Sequence, residues 1–175
     1  MIKKLRNYIL LGLANVIYML LALLSFIPFF KYLKYLGLEH RASFALNLGL
    51  VGYAEASANE LLELSKIYEE DWNYGNAIHK GHTLLGVINV LRGNISKAEE
   101  ELLASANTPG SPQLNTFGPN MKLASELLKR GRKDVVLQYL DKCKCFWEMG
   151  LDNIGYWSYQ INKGEQPNFG GNLRY

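Results

Sequence analysis

The sequence predicts an all-α protein: one apolar helix near the N-terminus, then a stack of about three helical hairpins. Three observations carry this. Residues 8–30 form a 23-residue run without a charge. Beyond it, apolar residues recur at spacings of three and four, as at Leu61, Leu62, Leu64, Ile67 and Tyr68 and again at Leu123, Leu127 and Leu128. That is the period of a helix with one buried face. Finally, a small–glycine–small pattern returns three times in one register: Ala42, Gly49, Ala54; Gly86, Gly93, Ala98; Ala124, Gly131, Val136.

The totals narrow the class. Of 175 residues, 49% are apolar and 20% charged, which excludes a disordered chain and a polytopic membrane protein. The net charge of +3 is mild, and part of it sits beside the apolar run at Lys3, Lys4, Arg6, Lys31 and Lys34. The other cations are mixed with acids, so no basic stripe points to nucleic acid. Cys143 and Cys145 lie two apart on a predicted helix and so face different ways, which predicts free thiols.

Residues 8–30 predict one transmembrane helix, since a hydrocarbon core of about 30 Å needs about 20 helical residues. Lys3, Lys4 and Arg6 flank one end, and Lys31 and Lys34 the other. Tyr8, Phe29, Phe30, Tyr32 and Tyr35 fall where interfacial aromatics sit. Pro28 comes near the end, where a kink costs little. Asn15 and Ser25 are polar positions open to contacts with other helices. A cleaved signal peptide has a shorter apolar region, and a core helix is rarely apolar all round. The expectation is a single-pass anchor in a bacterial plasma membrane. The flanking cations are nearly balanced, and the tighter N-terminal cluster leans toward a domain outside the cytoplasm.

The predicted organisation is an anchor over 1–34, a repeat domain over 35–163 and a tail over 164–175. The repeat units fall at about 35–68, 79–106 and 117–147, with a capping helix at about 150–162. Ile154, Trp157 and Ile161 form a stripe on that last helix. Phe169 and Tyr175 are too apolar for a free tail and predict that it packs back. Ser96 and Glu99 fit a capping box after Gly93, and Gly118-Pro119 suits a helix start. The small residues have one physical reason. Antiparallel helices approach closely only where side chains are small, and the turn needs a left-handed residue, which glycine supplies without strain.

These residues resemble the tetratricopeptide repeat. Leu85-Gly86, Gly93, Ala98 and Leu102 match its leucine–glycine pair, turn glycine, alanine and large apolar position. Leu123-Ala124, Gly131, Val136 and Leu140 match again, with Cys143 at a small-residue position. His82 stands where the family has tryptophan, and Asn89 where it has tyrosine. Pro109 falls one place early, Arg41 replaces a leucine and Ala58 a large apolar residue. The pattern also resembles a group of small bacterial repeat proteins. The resemblance implies a right-handed α-solenoid whose first helices line a concave groove. It would place Lys80, Thr83, Val87, Met121 and Ser125 on that groove, for a peptide or helix partner.

No chemistry competes strongly with binding. His79 and His82 are three apart on a helix and could share a metal ion, but no third ligand is evident. The register turns His82 toward the core. Cys145 can be paired with either histidine on paper, yet nothing orients the base or builds an oxyanion hole. No phosphate-binding glycine loop is present. No catalytic residue, metal or cofactor is therefore expected. Two loops stand out instead: residues 71–76, with Trp72, and the long segment 107–120. The expected function is a membrane-anchored scaffold or adaptor, with Trp72 added to the groove residues as a binding position. The competing readings are a metal- or thiol-dependent enzyme using His79 and His82, and a structural subunit of a membrane complex.

Overall fold

The computed structural model describes residues 2–24 and 26–173, with side chains from residue 5 onward. Ser25 and Tyr175, the proposed helix contact and tail anchor, lie outside the described residues, as do the side chains of Lys3 and Lys4. The described residues form α1 Ile2–Leu23, α2 Pro28–Asn47, α3 Val51–Ser65, α4 Tyr74–Leu91, α5 Ile95–Ser105, α6 Pro112–Phe117, α7 Lys122–Leu128, α8 Lys133–Cys143 and α9 Leu151–Asn162. There is no strand among them. The chain divides into two compact units, Met1–Tyr68 and Glu69–Tyr175.

The repeating glycines turn the chain three times in the same way. Gly49, Gly93 and Gly131 have φ of 79°, 79° and 74°. The residue after each glycine donates its N–H back into the preceding helix: Leu50 to Ala45 O at 2.9 Å, Asn94 to Asn89 O at 2.8 Å and Arg132 to Leu127 O at 3.1 Å. This is the 6→1 bond of a Schellman turn, which needs a left-handed residue at its corner. It joins α2 to α3, α4 to α5 and α7 to α8. A Cβ on Gly93 would meet nothing within 4 Å, so only backbone strain opposes one there. Gly93→Ala is therefore expected to cost about 1 kcal/mol, read from the denaturant midpoint.

The small residues are buried where helices approach. Ala42, Ala54, Ala98, Ala124 and Val136 are all fully buried. A Cβ on Gly86 would fall 2.1 Å from Leu123 Cδ2 and 3.2 Å from Glu101 Cβ. Glycine there lets α4 lie against α7 and α5 together.

In the first unit the apolar run is two helices, not the single helix expected over 8–30. α1 stops at Leu23, and Pro28 begins α2 in its first turn. Proline lacks the N–H a continuing helix requires and forces the residue before it out of the helical region. Ile27 is accordingly extended, with φ −93° and ψ 121°. Freed by this break, α1 packs against α2. Arg41 donates from Nε to Asn15 Oδ1 at 3.1 Å and lies over the Tyr18 ring, 3.8 Å from its centroid. Tyr18 donates its hydroxyl to Glu60 on α3, and Lys34 pairs with the same carboxylate at 2.5 Å. Burial works against the Lys34 ammonium, but its bond and attraction to Glu60 outweigh that and raise its pKa above the usual value. Tyr35, Leu38, Ala45, Ala58 and Leu61 fill the core, and Tyr68 stacks on Tyr35 at 4.9 Å.

In the second unit α4 packs on α5 and α7, α5 on α8, and α8 on α9. Two helix starts differ from expectation. α5 opens at Ile95 behind Asn94, so Ser96 lies inside the helix and makes no capping box. α7 opens at Lys122, because Gly118, at φ 81°, ends the unforeseen α6. Beyond α8, Trp147 lies so close to Gly118 and Gly150 that a Cβ on either would come within 2.4 Å of the indole. Trp157 sits between Trp147 and Phe169, at 5.8 and 4.9 Å between ring centroids. The tail is bound as well as packed. Asn172 accepts the Met121 N–H at 2.8 Å and donates from Nδ2 to the carbonyls of Phe117 and Pro119, both at 3.0 Å.

Candidate functional site

The two segments singled out in the sequence meet at the start of α4. Asp71 Oδ1 accepts the Asn73 N–H at 2.8 Å, which turns the chain into the helix. Asn76 donates from Nδ2 to Asn73 Oδ1 at 2.9 Å and to Gln113 Oε1 at 3.0 Å. Its own oxygen accepts the Ser111 hydroxyl at 2.5 Å. Ser111 in turn caps α6, accepting the Leu114 N–H at 3.0 Å. Thr108 donates its hydroxyl to the Gly75 carbonyl at 3.1 Å. Each of these residue types bonds readily to nearby backbone, which is why both loops are rich in them. The result is a stitched junction rather than a loose linker. Trp72 stands 51% exposed on it, and Phe117, at the far end of α6, is 65% exposed.

Beneath the junction, His79 is fully enclosed. Its Nδ1–H donates to the Ser105 carbonyl at 3.0 Å, and its Nε2 accepts the Asn120 N–H at 2.9 Å. These partners fix one neutral tautomer and tie α5 and the segment before α7 to α4. Burial pulls the imidazole pKa down from 6.5 to about 4, only partly opposed by the Ser105 bond. Both ring nitrogens are thus committed to backbone. His82, expected toward the core, is only half-buried and pairs through Nδ1 with Glu101 at 2.7 Å. The core position one turn earlier belongs to His79. Cys143 is buried, which pushes its thiol well above the usual range, and Cys145 is exposed; neither forms a disulfide. Among the described residues, no three His, Cys, Asp or Glu side chains form a metal-binding group.

The groove residues divide. Lys80 is half-buried and Trp72 exposed. Met121 is fully buried, Thr83 and Val87 are 5% and 7% exposed, and Ser125 is 9% exposed. Thr83 and Val87 lie one turn apart on α4, and the Thr83 hydroxyl has no hydrogen-bond partner among the described residues. Met121 precedes α7 rather than lying on it, under the chain that returns at Asn172. These four positions are buried rather than exposed on a groove surface. What the sequence reading missed is the bonding of Asn76 to Ser111 and Gln113. Its only sequence signal is the density of Asn, Ser and Thr in both loops.

Compared with family models, curated proteins and solved structures, the chain matches none.

Proposed function

We propose that the chain is a membrane-held protein-interaction module whose recognition surface is the loop junction around Trp72. The observation that carries this is the stitched meeting of residues 71–76 and 107–115 with an exposed tryptophan on it. Exposed aromatics on a rigid frame are the side chains that dominate protein interfaces, because little order is lost when they are covered. The resemblance to tetratricopeptide repeats supports binding over catalysis, and the engaged nitrogens of His79 favour the same side. α1 provides the hold on the membrane. Over Leu5–Leu23 it is long and apolar enough for one crossing, and only 6% of that span is buried, unlike a core helix.

The test compares proteins cross-linked to the full chain in its own membranes, for wild type, Trp72→Ala with Phe117→Ala, and Leu91→Ala. Leu91 is 63% exposed but lies at the other end of α4. Losing about 2 kcal/mol at an aromatic hot spot weakens binding roughly thirtyfold. The junction variant should therefore lose its partner while Leu91→Ala keeps it. A partner retained equally by all three would remove the junction from the account.

A further inference from the structure

We propose that α1 does not cross the bilayer but lies along one leaflet, its outer face seated in an anionic lipid surface. This rests on the membrane-held reading and narrows it to one geometry. The two faces of α1 are unlike. Leu11, 5% exposed, lines the inner face with Asn15 and Tyr18. On the outer face Leu5, Leu13, Leu20 and Leu23 are between 54% and 72% exposed. Phe26 and Phe29, which follow α1 in sequence, are also exposed, at 79% and 62%.

The inner face holds charges at the middle of the helix. Arg41 grips Asn15 and Tyr18, and Tyr18 shares Glu60 with Lys34. At 1.5 Å per residue, Asn15 stands roughly 15 Å from Leu5 and roughly 12 Å from Leu23. A crossing helix that kept these partners would carry Arg41, Lys34 and Glu60 toward the centre of a core about 30 Å thick, where charges are strongly disfavoured. A helix in the plane of the interface meets no such conflict. Its clasp faces the headgroups and water, and its apolar side sinks about 5–10 Å. The charge pattern fits the same partner. Residues 1–38 contain five Lys or Arg and no Asp or Glu; Lys34 is committed to Glu60, and the other four are Lys3, Lys4, Arg6 and Lys31. Anionic headgroups attract that kind of segment, and free water alone leaves the apolar face uncovered.

The test is the side of the membrane on which each end of α1 emerges. A short cysteine-bearing extension is placed before Met1 of the full chain, and a membrane-impermeant maleimide is applied to sealed vesicles of each orientation from expressing cells. The exposed Cys145 reports the domain, and Cys145→Ser isolates the signal of the extension. Both thiols should label in one vesicle orientation, and both should lose labelling in the other. Labelling from opposite faces overturns the in-plane geometry and leaves the membrane-held reading standing. Recovery in the soluble fraction, as a monomer, a shortened chain or an oligomer closed through α1, overturns both.

Discussion

Gly75→Ala is expected to destabilise the second unit by about 3 kcal/mol and to lower its melting temperature by on the order of 10 °C. A Cβ there would stand 1.8 Å from the Gly110 carbonyl oxygen, 2.5 Å from its carbon and 2.9 Å from Thr108 Oγ1. The obstacle is backbone, so no rotamer change relieves it. The segment around Gly110 must move away, and the Thr108 bond to the Gly75 carbonyl goes with it. Overpacking costs about 1–3 kcal/mol, and each lost hydrogen bond about 1 kcal/mol more. Gly155→Ala is the control. It is helical, with nothing within 4 Å of its Cβ, so it should be neutral or stabilising by up to about 1 kcal/mol. Thermal unfolding of the three proteins separates a local clash from a general intolerance of alanine. Equal melting temperatures for Gly75→Ala and wild type would show that the loops do not touch.

His79→Gln is expected to cost about 3 kcal/mol near pH 7.5, with a pH signature of its own. The substitution disturbs a buried backbone N–H at Asn120 and a buried carbonyl at Ser105, and unpaired groups of this kind cost about 1–3 kcal/mol each. The pH dependence follows from the imidazole. Its folded pKa, about 4, lies below the unfolded value, so the unfolded chain takes up a proton first. The stability it supplies is complete above about pH 6.5 and is lost as pH falls toward about 4. Between pH 7.5 and pH 5 the gap between wild type and variant should therefore narrow by about 2 kcal/mol. Carboxylates titrating in both proteins cancel in that difference. Urea unfolding at the two pH values measures it, and a constant gap would mean that His79 is not held neutral.

Much of the architecture was legible because it rests on short-range geometry. The turn glycines can be read from spacing alone, since a left-handed corner leaves almost no other residue. Ile154, Trp157 and Ile161 were readable as a stripe, and the three are buried together on α9. Other features depend on partners far along the chain. Asn15 looks merely tolerable in an apolar helix until Arg41, 26 residues away, comes beside it, and Tyr18 meets Glu60 from 42 residues away. Pro28 was visible, but treating it as a kink at the end of one helix hid the reversal that makes this meeting possible. The burial of residues expected on the groove has a related reason. A repeat register gives Met121 a place on a helix face, but Gly118 ends α6 there and Asn172 returns to cover it. His82 took the core position in that same register, and His79 occupies it in the structure. The junction itself was half legible: each loop was recognisable, their bonding was not.

Whether the outer face of α1 holds the proposed interaction module at a membrane is decided by flotation. The full chain is mixed with vesicles of phosphatidylcholine and phosphatidylglycerol and spun through a density gradient. The comparison protein carries Leu13→Glu, Ile17→Glu and Leu20→Glu, three positions 54–57% exposed and away from the clasp. Wild type should rise with the vesicles, and the triple variant, with unchanged helical circular dichroism, should stay at the bottom. Wild type remaining at the bottom, or both proteins floating alike, would contradict a membrane hold through that face.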